Sequence, residues 1–151
     1  MIRTRLKESL SVGMKAKDEL CVSTLRLIIA ALKDRDIAAR TKGDLSGIDD
    51  DAILELLQSM IRQRRDSIDM YRSAGRHELA DKEEKEIEII QGFLPEQMDD
   101  AAMAAAVEDV IAELEASSLK DMGRTMAALK ERCAGQMDFA KASSVVKARL
   151  G

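Results

Sequence analysis

Apolar residues recur at three- and four-residue steps along almost the whole chain, and no stretch alternates with the period of two that a half-buried strand requires. The pattern predicts an all-α protein. A first helix runs from about Ile2 to Lys15, with Ile2, Leu6 and Leu10 on one side. Asp18 can cap a second, which carries Cys21, Leu25, Ile28, Ile29 and Leu32 as its stripe. Lys42 to Ser46, with Gly43 and Gly47, reads as a loop. Asp49, Asp50 and Asp51 open a long helix at the end where negative charge suits the macrodipole; Ile53, Leu57, Met60, Ile68 and Tyr71 face inward and Gly75 stops it. Another helix follows from His77 to about Phe93. Pro95, which denies its predecessor helical geometry, predicts a boundary between lobes 1–95 and 96–151. Beyond it, Asp99 or Asp100 caps a helix with Met103, Val107, Val110, Ile111 and Leu114. Ser118 and Asp121 form a capping pattern for a helix from Ser118 to Ala134, which presents Met122, Met126, Leu129 and Cys133 and ends at Gly135. Asp138 caps a last helix with Phe139, Ala142, Val146 and Leu150. The expected architecture is an N-terminal helical bundle followed by a three-helix lobe.

Composition agrees with this reading and narrows the setting. Hydrophobic residues are 46% of the 151 and aromatic residues 2%, a mix that suits helices rather than a β-sandwich. Uncharged apolar runs such as Leu27 to Leu32 fall far short of the roughly 20 residues of a membrane span. No secretory pattern is visible in the first residues, and Cys21 and Cys133 make neither a disulfide framework nor a metal pair. A cytoplasmic protein without membrane contact is the expectation.

Charge is unevenly spread under a net value of −4. Residues 1–43 carry ten basic and five acidic side chains, and residues 44–95 seven and thirteen. Residues 96–116 hold seven acids and no base, whereas 117–151 hold seven bases and three acids. An acidic protein thus ends in a basic module, which either keeps a small lobe in solution or meets a polyanion.

Few residues offer chemistry. His77, Glu78 and Asp81 resemble a zinc-protease helix, but catalytic zinc takes three protein ligands, commonly nitrogen donors, and His77 is the only histidine. No serine or cysteine stands beside a recognisable base, and without strands there is no glycine-rich phosphate loop. The residues call for no catalytic centre, metal or cofactor. Arg64 falls inside the stripe of Met60, Ile68 and Tyr71, while Glu83 and Glu86 fall on that of Leu79, Ile90 and Phe93. If the two helices pair across Gly75, Arg64 meets one of these carboxylates, as a structural ion pair or as part of a pocket. In the C-terminal lobe, Lys120 and Arg124 lie opposite the apolar stripe beside Gly123, Ala127 and Ala128. With Lys130, Lys141 and Lys147 they form the candidate surface for successive phosphates. With so few aromatic residues, any RNA contact there rests on shape and phosphate rather than stacking.

Ser23-Thr24-Leu25-Arg26, Ala74-Gly75-Arg76, Phe93-Leu94-Pro95-Glu96-Gln97 and Lys120-Asp121-Met122-Gly123-Arg124, followed by Met126 and Gly135, give the chain a resemblance to the GatB/YqeY family. These are small stand-alone proteins whose C-terminal part is similar to the tail of the B subunit of tRNA-dependent amidotransferases. The resemblance implies a helical bundle joined to a three-helix lobe of the tail type. It implies that Gly123, Met126 and Gly135 belong to the tail's fold-defining pattern and that Lys120 and Arg124 lie on a surface contacting tRNA. It does not bring catalysis with it, since the amidotransferase's cradle and its partner's catalytic serines have no counterpart here. A carbon-nitrogen ligase label with glutamine as amide donor would be inherited by resemblance alone. The functional expectation is a non-catalytic module for tRNA or other structured RNA; the alternatives are a helical protein adaptor and an accessory component of an amidotransferase.

Overall fold

Four of the helices begin at an aspartate whose carboxylate accepts a backbone N–H of the first turn: Asp18 from Cys21, Asp49 from Ala52, Asp99 from Ala102 and Asp138 from Ala140. Each bond satisfies a donor that the helix itself leaves open, which is why the chain turns helical at these positions. The structure is a computed structural model describing Met1–Gly151, all-α with no strand. The chain divides into two units, Met1–Leu94 and Pro95–Gly151.

The first unit holds α1 (Ile2–Ala16), α2 (Glu19–Thr41), α3 (Asp50–Ser73) and α4 (His77–Gln91). α1 packs on α2, α2 on α3 and α4, and α3 on α4. Leu6, Leu25, Ile28, Ile53, Leu57 and Ile90 are fully buried at the centre, each contributing roughly 1.5–3 kcal/mol by leaving water. Thr24 is buried with them, a position that apolar spacing does not single out, and its hydroxyl donates to the Leu20 carbonyl. α4 stops at Gln91, short of the expected Phe93, although Phe93 remains buried and the Arg5 guanidinium lies 5.4 Å over its ring.

A polar clip closes the loop between α2 and α3. Arg3 donates two bonds to the Asp36 carboxylate, both 2.7 Å, and one to the Ile48 carbonyl, while the Ile48 N–H returns to Asp36. Gly47, at φ +87°, passes so close that a β-carbon there would lie 2.8 Å from both the Arg3 guanidinium and the Asp36 carboxylate, so only glycine fits. The Arg3 hydrogen bond, chief among the causes, holds the Asp36 carboxyl down at about 2 from 3.8. Its stabilisation is therefore complete above 3.8 and lost as the pH falls towards 2. Asp36→Asn is expected to lower stability by about 1–2 kcal/mol at neutral pH and to flatten that acid limb, as read by urea denaturation across pH.

The second unit holds α5 (Asp100–Leu114), a 3-10 turn (Leu119–Asp121), α6 (Met122–Arg132) and α7 (Phe139–Leu150). Val107, Val110, Leu129, Met137, Ala142 and Val146 form its core. The Gln97 amide donates to the carbonyls of Pro95 and Gly135, and the Met98 N–H to that of Gln136, tying the segment before α5 to the α6–α7 connection. Two expectations are corrected here. The Ser118–Asp121 cap opens a 3-10 turn, in which Asp121 accepts the N–H groups of Ser117 and Ser118, and α6 begins only at Met122. The buried line is Thr125 and Leu129 of α6 and Cys133 just after it, with Met122 and Met126 half-buried beside it. Thr125 tolerates burial because its hydroxyl donates to the Asp121 carbonyl.

Candidate nucleic-acid interface

Lys120 stands on the 3-10 turn, Arg124 and Lys130 on α6, Lys141 and Lys147 on α7, and all five are exposed. The 3-10 turn packs on both α6 and α7. Gly123, on the outward side of α6, has nothing within 4 Å of the place a β-carbon would take. No packing within the unit calls for glycine there, in the first turn of α6, where alanine is the better helix former.

The acids of α5 take up much of the basic charge. Lys141 reaches Asp100 at 2.5 Å, Arg132 pairs with Glu113 and Arg149 with Glu108, while Arg124 meets Asp121 of the preceding turn at 3.0 Å. The hydrogen bonds from Arg149 and Arg132 hold the Glu108 and Glu113 carboxyls below their ordinary range; for Asp121 the Ser117 N–H is the leading cause and Arg124 the next. Lys120, Lys130 and Lys147 stand outside these pairs. Exposed pairs of this kind hold weakly against solvent, so a phosphate can compete for the paired cations but meets the three lysines without competition. The α5 pairings join residues 19 and 41 positions apart, and no local pattern announces them.

In the first unit, the Arg64 Nε–H donates to Glu86 at 3.0 Å and its terminal nitrogen to the Met60 carbonyl at 3.3 Å. Glu83 approaches the same guanidinium to 3.9 Å. The Arg64 and Glu86 side chains are only 12% and 11% exposed, and that of Glu83 23%. Burial, with the neighbouring Glu86 charge adding to it, pushes the Glu83 carboxyl up. All three sit in the α3–α4 seam that starts at Gly75, whose φ of +74° turns the chain after α3.

His77, Glu78 and Asp81 are exposed, with Glu78 paired to Arg76 and Asp81 to Arg72. No group of three or more His, Cys, Asp or Glu side chains is placed to hold a metal ion, and no helix is long and apolar enough to cross a membrane. α6 ends at Arg132, short of the expected Ala134, and Gly135, at φ +74°, lies in the turn that follows and offers its carbonyl to Gln97.

The family model of Yqey-like proteins matches residues 3–150. Among similar curated proteins is the altered inheritance of mitochondria protein 41, mitochondrial, of Lachancea thermotolerans, 31% identical over 96% of this chain and 76% of its own length. Its namesake from Eremothecium gossypii is 32% identical over 74% of this chain and 56% of its own length. A third, from Vanderwaltozyma polyspora, is 35% identical over 59% and 46%. The chain thus spans about three quarters of the first relative and about half of the other two. These names correct the expectation of a cytoplasmic protein, since they point to mitochondria. Residence is set by an address that import receptors read, and the composition of folded helices has no bearing on it. With its helical architecture and a family match running almost from end to end, the chain belongs to the YqeY-like family.

Proposed function

We propose that this protein is a non-catalytic module that holds structured RNA, tRNA first, through phosphate contacts on the surface made by the 3-10 turn, α6 and α7. The observation that carries the reading is that Lys120, Lys130 and Lys147 stay outside the ion pairs that occupy the other four cations of the unit. The open backbone at Gly123 supports it, because a sugar-phosphate chain can approach there without meeting a side chain. Arg124 and Lys141 join when phosphate displaces Asp121 and Asp100.

Affinity for tRNA is expected to fall steeply with salt, with a log-log slope of about 0.7–0.9 for each phosphate neutralised. Lys120→Glu and Lys130→Glu should each weaken binding and lower that slope by about 1. Gly123→Ala should raise thermal stability while weakening binding, a split that a purely structural glycine does not produce. Affinity untouched by all three changes would defeat the surface. Charged tRNA incubated with glutamine and this chain alone should yield no amide-transfer product; accumulation of product would show a catalytic role.

A second reading, a helical adaptor for another protein, is favoured by the exposed Val12, Met14, Leu27, Ile37 and Leu45, all in the first unit. It predicts a protein that co-purifies with the chain and is released by polar substitutions at these positions.

A further inference from the structure

α1 and α2 are joined by only two residues, Lys17 and Asp18, and Lys17 stands at φ 57° and ψ 35°, in the left-handed region, without being glycine. A β-carbon in that region carries a steric cost that glycine avoids. Every residue from Met14 to Glu19 is exposed, so nothing packs over the connection. The strain disappears if Lys17 and Asp18 become helical, which joins α1 and α2 into one helix from Ile2 to Thr41. No proline or glycine lies between Met14 and Thr41 to oppose this.

Such an opening takes α1 away from its own unit and orphans a definite set of groups. Ile2 and Leu6 leave the core, Arg3 leaves Asp36, Arg5 leaves the Gly92 carbonyl, and the N-terminal ammonium leaves Asp50. The only surface that offers all of these partners in the same arrangement is a second copy of the chain. A straightened hinge also brings the two long helices past each other beside Val12 and Met14, which are 67% and 52% exposed, and beside the shallow groove of Val22, Ser23 and Leu27 on α2. Their burial adds apolar area that the single chain lacks.

We propose that α1 is an exchangeable element: two copies of this chain swap it through the Lys17–Asp18 hinge, each α1 completing the other copy's core. Both states keep the same contacts away from the hinge, where the straightened helix gives up the Asp18 cap on Cys21, so the hinge, the new helix crossing and the protein concentration set the balance.

The geometry supplies a direct test. A β-carbon at Gly13 would lie 3.8 Å from that of Cys21, the usual separation across a disulfide. Full-length Gly13→Cys protein is refolded from urea at low and high concentration, oxidised, and run on a non-reducing gel beside the parent chain treated in the same way. A covalent dimer whose share rises with concentration, and which the parent lacks, is expected. Internally bridged monomer at every concentration, or a dimer formed equally by the parent, overturns the proposal. Hinge variants give a second readout by light scattering and do not depend on Gly13→Cys folding. Lys17→Gly removes the strain of the closed form and should lower dimerisation about fivefold per hinge, about 25-fold for the two hinges of a dimer. Lys17→Ile, whose branched side chain tolerates the left-handed region least, should raise it. Dimerisation that neither substitution changes also overturns the proposal.

Discussion

Arg64→Ala is expected to lower the stability of the Met1–Leu94 unit by about 3 kcal/mol, because it leaves two carboxylates facing each other in a seam that excludes most water. The loss combines the 3.0 Å bond to Glu86 and the bond to the Met60 carbonyl with the cost of an uncompensated charge. Urea denaturation followed by helical ellipticity measures it, and an unchanged midpoint would remove the pair from any structural role. The companion change, Glu83→Gln, should act in the opposite direction. The Glu83 carboxyl is raised, chiefly by burial, so its ionised form opposes folding. A carboxyl with a raised folded value contributes stability that is fully present below its unfolded value, 4.5, and is lost as the pH rises through the folded one. Wild-type protein should therefore gain stability from this group as the pH falls from neutral towards 4.5, whereas Glu83→Gln is more stable at neutral pH and shows less of that dependence. A midpoint that falls on Glu83→Gln would mean that Glu83, rather than Glu86 alone, is needed to balance Arg64.

Leu129→Ala is the second large effect, expected to cost about 3 kcal/mol in the Pro95–Gly151 unit. Leu129 is fully buried among Val107, Val110, Met137 and Val146, where truncation leaves a cavity that three short helices cannot collapse around. A unit of this size holds only a few kcal/mol of stability in all, so the substitution brings it close to unfolding at physiological temperature. Limited proteolysis should cut within α5 to α7 while the helices of Met1–Leu94 survive. Uniform resistance along the chain would show that Leu129 contributes far less than its burial indicates. Because tRNA binding is proposed for the same unit, this variant should lose affinity together with stability, whereas Gly123→Ala should lose affinity while the unit becomes more stable.

The helices were legible because their signals are local. Asp18, Asp49, Asp99 and Asp138 each sit immediately before an apolar stripe of helical period, and each caps a helix in the fold. The spacing of Ile53, Leu57, Met60 and Ile68 needs no partner to be recognised as a buried face. Thr24 and Thr125 escaped the same reading, because a threonine enters a core only when its hydroxyl finds a carbonyl one turn back, and hydropathy does not record that bond. The turn at Ser118–Asp121 escaped for a related reason: a capping pattern marks where a helix can start but does not distinguish a 3-10 turn from the first turn of an α-helix.

The order of residues, taken alone, determined what depends on neighbours within a turn or two: an all-α chain, the aspartates that start its helices, the stripes those helices bury, and, through its motifs, the family. Only the tertiary structure decided which charges are already engaged. Asp100, Glu108 and Glu113 neutralise Lys141, Arg149 and Arg132 across helix–helix seams, Asp36 closes on Arg3 across a loop, and Glu86 rather than Glu83 takes the Arg64 bond. Coulomb attraction acts through space over a few ångströms, whereas sequence separation says nothing about that distance until the helices have packed.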